Sequence, residues 1–163
     1  MIKINILKKN EFLTFCILFL LTLLLSGISI PLISDAGVMP DYFLALFIPL
    51  IATRFMKMNI YILFFLGLII DLLVGELIGQ YGLILITIYF TNFVLNKYLL
   101  FKSLIMRVLQ HLILTTIGII ILFTSSLSYE LNINLGLFPI KLLTTFLLCI
   151  FYAKLIQSLR RKP

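Results

Sequence analysis

The residue with the most chemistry to explain is a carboxylate set among aliphatic side chains. Asp71 lies in "GLIIDLLVGELIGQYG", residues 67–82, and glycines share its four-residue beat at Gly67, Gly75 and Gly79. On an α-helix, positions four apart drift by only about 40°, so the four residues form one narrow stripe, unless Gly79 and Gly82 belong instead to a turn around Gln80 and Tyr81. Missing side chains along a stripe let another backbone approach closely. The approaching helix can belong to the same bundle or to a different membrane protein. Counted from a helix start near Asn59, Asp71 falls roughly 18 Å along a crossing of ~30 Å. An ionised carboxylate at that depth costs roughly 3 kcal/mol or more unless it is paired, hydrated or protonated. Three uses stay open: an interfacial group, a buried pair or hydrogen-bond site, and a proton, ion or substrate site.

A cation is available for the pair. Lys141 follows Pro139 near the start of an apolar tract, where a positive charge opposes the helix dipole. The expectation is that Asp71 and Lys141 approach each other within salt-bridge or water-bridged reach. Other chemistry is thin. His111 is the only histidine and reads as a capping or packing residue, so metal ligation has no second imidazole. Ser125, Ser126 and Ser128 fall at the opposite end of their tract from His111, which argues against a serine nucleophile with a histidine base. Asp71 is the only aspartate within a span, whereas an intramembrane aspartyl protease needs two. Cys16 and Cys149 sit in apolar tracts with no CxxC spacing, so zinc and disulfides are not expected. Asn92 and Asn96 are four apart and suited to hydrogen bonding between helices. The inventory points away from an enzyme, a cofactor and a metal.

The elements that must position Asp71 follow from composition. Of 163 residues, 63% are hydrophobic and 12% charged, against roughly 25% charged in soluble domains; mean hydropathy is +1.23. Long apolar tracts without barrel-like alternation read as helices, because lipid tolerates no unpaired backbone. The chain reads as an all-α integral membrane protein, one domain over 1–163, with spans at about 12–33, 40–58, 60–78, 82–99, 104–127 and 137–157. Pro40 suits a helix's first turn, with Asp41 beside it at the positive end; Pro49 predicts a kink mid-span.

The net charge of +7 is explained by its distribution, without nucleic acid. Lys3, Lys8, Lys9, Arg54, Lys57, Lys97, Lys102, Arg107, Lys154, Arg160, Arg161 and Lys162 all fall on one side of a six-span arrangement. Asp35, Asp41, Glu76 and Glu130 occupy the alternate connections, with Lys141 the one basic residue on that half. The positive-inside rule then puts both termini in the cytoplasm. An odd number of spans would separate the basic ends. The connections are too short for a soluble catalytic domain.

With "MPDYFLALF" opening the second span and the glycine–aspartate tract ending the third, the chain resembles the rod shape-determining protein MreD family. The matching positions are Pro40, Asp41, Gly67, Asp71, Gly75 and Gly79; Met39 stands where relatives often have arginine. The resemblance implies a noncatalytic scaffold of the bacterial elongation machinery. It also implies binding to MreC, a single-span protein, and a place near the RodA glycosyltransferase and its transpeptidase, with membrane lipid around the bundle. It implies an overall fold similar to the substrate-binding S components of energy-coupling-factor transporters, and hence a second reading as a small-molecule transport subunit. S components commonly dock through A-x-x-x-A on their first helix, and residues 12–33 contain no alanine.

Overall fold

The computed structural model describes residues 2–27, 39–53, 59–74, 78–98, 103–128 and 135–161. They form six α-helices: α1 (Ile2–Gly27), α2 (Tyr42–Ala52), α3 (Ile60–Val74), α4 (Gln80–Tyr98), α5 (Leu104–Ser128) and α6 (Phe138–Arg161), with a 3-10 turn at Leu135–Leu137 ahead of α6.

The short second helix is the axle of the bundle. Every residue from Phe43 to Ile51 is buried, and "FLALFIPLI" presents no polar side chain in any direction, as a helix enclosed on all sides requires. α1, α4, α5 and α6 surround it. Its start is held by Asp41, whose backbone is extended (φ −80°, ψ 99°) while its carboxylate accepts the Leu44 N–H. Such a cap contributes about 1 kcal/mol. At the far end Thr53 closes the helix, its N–H and hydroxyl both donating to the Pro49 carbonyl at 2.9 and 2.7 Å. The helix runs through Pro49 without interruption.

α3 packs chiefly on α4, outside the ring around α2. Its buried positions are Leu63, Gly67, Ile70 and Asp71, a 4-3-1 spacing that faces one neighbour. The outward faces are apolar too: Leu20, Leu24, Phe65, Leu72, Ile105 and Phe151 are all exposed. Two stretches, Leu104–Ser125 and Phe138–Leu159, are each long and apolar enough to cross a membrane; Glu11–Ser26, Tyr42–Ala52 and Ile60–Val74 are shorter apolar helices.

Several expected bounds shift. α1 begins at Ile2 and its described helix ends at Gly27. α2 closes at Thr53, α3 is described as far as Val74, and a turn at Ile78 and Gly79 leads into α4 at Gln80, two residues earlier than expected. Pro139 lies in the first turn of α6, as its missing N–H favours.

Candidate functional site

At one end of the bundle, α3 and α4 approach until their backbones touch. A Cβ placed on Gly67 would overlap the Gly82 backbone nitrogen and Cα and stand 2.8 Å from the Tyr81 carbonyl carbon. No side chain fits at Gly67. This contact is internal to the chain, so Gly67 presents no free seam to a partner.

One turn further, Asp71 is 1% exposed. Its carboxylate reaches across to α4, where Oδ2 accepts the Gly79 N–H at 2.7 Å and Oδ1 accepts the Tyr81 N–H at 2.9 Å. Amides in the first turn of a helix have no partner within it, and a negative charge suits the positive helix end. Asp71 therefore caps α4 from a neighbouring helix. The turn between them needs Gly79 at φ +95°, a left-handed backbone that L side chains rarely adopt. Two of the glycines and the aspartate thus have one explanation: close approach, tight turn and cap. Gly79 belongs to that turn, beyond the helical stripe, and Gly75 lies outside the described residues.

Tyr81 extends the arrangement to the axle. Its hydroxyl donates to Asp41 Oδ2 at 2.7 Å, and its ring meets Phe43 edge-on at 6.1 Å. The Asp41 N–H in turn donates to Thr145 Oγ1 of α6 at 3.0 Å. Gln80 Nε2 donates to Ser125 Oγ of α5 at 2.6 Å. Five helices are tied together within a few residues. Pro40, half-buried, leads the chain into Asp41.

The expected Asp71–Lys141 pair is not formed among the described residues. The α4 amides occupy both carboxylate oxygens of Asp71. Tyr81, Gly82 and Thr145 were not anticipated as site residues. The available signal was a phenol in the first turn of an otherwise aliphatic helix, an apolar body with a polar tip that finds a partner when buried.

A second polar cluster lies toward the other end. Asn92 Nδ2 donates to the Ile51 carbonyl at 3.2 Å, satisfying one of the open carbonyls that end α2. Gln110 Nε2 donates to Asn92 Oδ1 at 2.6 Å, and Asn96 Nδ2 folds back on Asn92. The asparagines thus bond between helices, in keeping with their spacing. His111 is buried beside them with its Nδ1 unpartnered within the protein. Cys149 is buried and Cys16 exposed, both as free thiols.

Among the described residues, the hydrogen bonds of Asp71, Tyr81, Asp41 and Gln80 tie helices of the chain to one another, as in a structural joint. A family model, that of the rod shape-determining protein MreD, matches residues 7–162. The chain belongs to the MreD family. That family comprises membrane proteins of the cell-shape machinery, and membership implies a role in rod shape determination. No curated protein and no solved structure matches the chain.

Proposed function

We propose that the chain is a noncatalytic inner-membrane scaffold of the bacterial elongation complex that binds an MreC-like single-span protein. In this reading the RodA glycosyltransferase and its transpeptidase stand nearby. The family match over residues 7–162 carries the proposal. The joint centred on Asp71 and Tyr81 supports it, because a protein that positions others needs helices that do not slide. Outward apolar faces on α1, α3 and α5 are compatible with acyl chains or with a partner helix. Between helices in lipid, association comes from close van der Waals packing and a few polar contacts. In this arrangement the bundle crosses the membrane six times, with both termini and the clustered basic residues on the cytoplasmic side.

The test is co-purification of the full chain with the MreC-like protein of its own organism, co-expressed and extracted in mild detergent. Stoichiometric recovery is expected. Gly67→Leu, which forces α3 off α4, should lose the partner while the chain stays inserted. Failure of the unaltered chain to retain the partner would overturn the scaffold reading.

A further inference from the structure

At the end of the bundle away from Asp71, the helices line a partly open cavity of about 300 Å³, at the small end of the range for ligand pockets. Its polar lining comes from four helices: Thr53 at the end of α2, Asn96 of α4, Arg107, Gln110 and His111 of α5, and Gln157 of α6. Among the described residues no carboxylate lines it, which leaves a cation without a counter-charge from them. What lines it instead is a guanidinium, an imidazole and three carboxamides. Gln110 and Asn96 are held in place through Asn92, with Gln110 Nε2 2.6 Å from Asn92 Oδ1. His111 is buried at 6% exposure; its Nδ1 is closed off inside the protein without a partner, while Nε2 is not among the closed-off atoms.

Arg107 is exposed at the rim of the cavity. Its neighbours in the first turn of α5, Leu104 and Ile105, are 80% and 77% exposed. Apolar flanks beside an exposed guanidinium place the opening at the boundary between hydrocarbon and headgroups, given the membrane-spanning reading above. The abundant anion at that depth is phosphate, and basic pockets between helices on the cytoplasmic side take such groups. The planar fork of arginine matches phosphate oxygens in bidentate fashion.

We propose that this cavity binds a phosphate-bearing anion, with the Arg107 guanidinium as its charged partner and the His111 imidazole and Gln157 carboxamide as further hydrogen-bonding groups. The bound group is a lipid headgroup phosphate or a free phosphate, and the chemistry of recognition is the same for both.

Because the chain has a single histidine, one imidazole spectrum reports the site. Tag-free full-length protein carrying ¹⁵N-histidine is prepared in a phosphate-free maltoside detergent. It is titrated separately with inorganic phosphate and with phosphatidylglycerol mixed micelles, each against sodium chloride at matched ionic strength. A saturable shift with inorganic phosphate assigns the site to a soluble ion. A shift with phosphatidylglycerol alone assigns it to lipid. In either case Arg107→Gln, at an exposed position that tolerates the change, should weaken binding by roughly tenfold or more. Gln157→Leu should weaken it severalfold. No saturable shift with either probe, or equal affinity in Arg107→Gln, overturns the proposal. The inorganic phosphate arm needs no bilayer, so its outcome is independent of the scaffold reading.

Discussion

Gly67→Ala is the smallest change that probes the joint between α3 and α4. The added carbon would meet backbone rather than a side chain that can rotate away. The Tyr81 carbonyl carbon alone would have to retreat by about 0.6 Å to reach an ordinary 3.4 Å contact, and the Gly82 backbone atoms by more. The helices must therefore part by roughly 1 Å, an overpacking cost of about 1–3 kcal/mol. The same movement stretches the bonds from Gly79 and Tyr81 to Asp71, now 2.7 and 2.9 Å, beyond useful length. Weakening hydrogen bonds to a buried carboxylate adds about 1.5–3 kcal/mol. The expected loss is about 3–5 kcal/mol, read by heat or denaturing-detergent unfolding of the purified chain. Gly27→Ala is the control: nothing lies within 4 Å of its added Cβ, so it should stay within about 0.5 kcal/mol of the unaltered chain. Because Gly67→Ala and Asp71→Asn attack the same bonds, their combined loss should fall short of the sum by about 1 kcal/mol or more. A Gly67→Ala variant as stable as the Gly27→Ala control, or strictly additive losses, would refute the reasoning.

Tyr81→Phe removes the hydroxyl that bonds Asp41 Oδ2 and should cost about 1.5–3 kcal/mol in the same unfolding assay. Tyr61→Phe, at a tyrosine 73% exposed, should cost nothing measurable. Gly79→Ala meets open space but must hold φ +95°, so it should lose about 1–2 kcal/mol from the backbone alone, with Gly79→Asn losing less. Asn92→Leu strands the Gln110 amide and the Ile51 carbonyl and should lose about 2–4 kcal/mol; Asn92→Asp, which keeps an acceptor for Gln110, should give a distinct value in the same measurement.

The apolar tracts made the helical architecture legible in the sequence, and the glycines and the aspartate drew attention to the stretch where α3 meets α4. Gly67 is a clear instance, because a missing side chain in a membrane helix signals close approach whichever neighbour arrives. The identity of that neighbour was not legible, since Gly82 looks like any residue near a turn until α4 is seen to begin at Gln80. Asp71 misled in a specific way. A buried carboxylate invites a search for a cation, while main-chain amides leave no mark in a sequence. Tyr81 joins the two motif stretches through its amide and its hydroxyl, a double role that spacing cannot express. The histidine-end cavity is similarly hidden, because its lining comes from four helices separated along the whole chain.

The most direct test of the account couples the joint to cell shape. The chromosomal copy in the rod-shaped host is replaced by Gly67→Leu, and cell shape is imaged while the amount of chain in the membrane fraction is measured. Rounded cells are expected even when expression is raised to match the membrane level of the unaltered chain, with rods restored by the unaltered chain. Rod-shaped cells that depend on a chain whose α3 can no longer seat on α4 would contradict it.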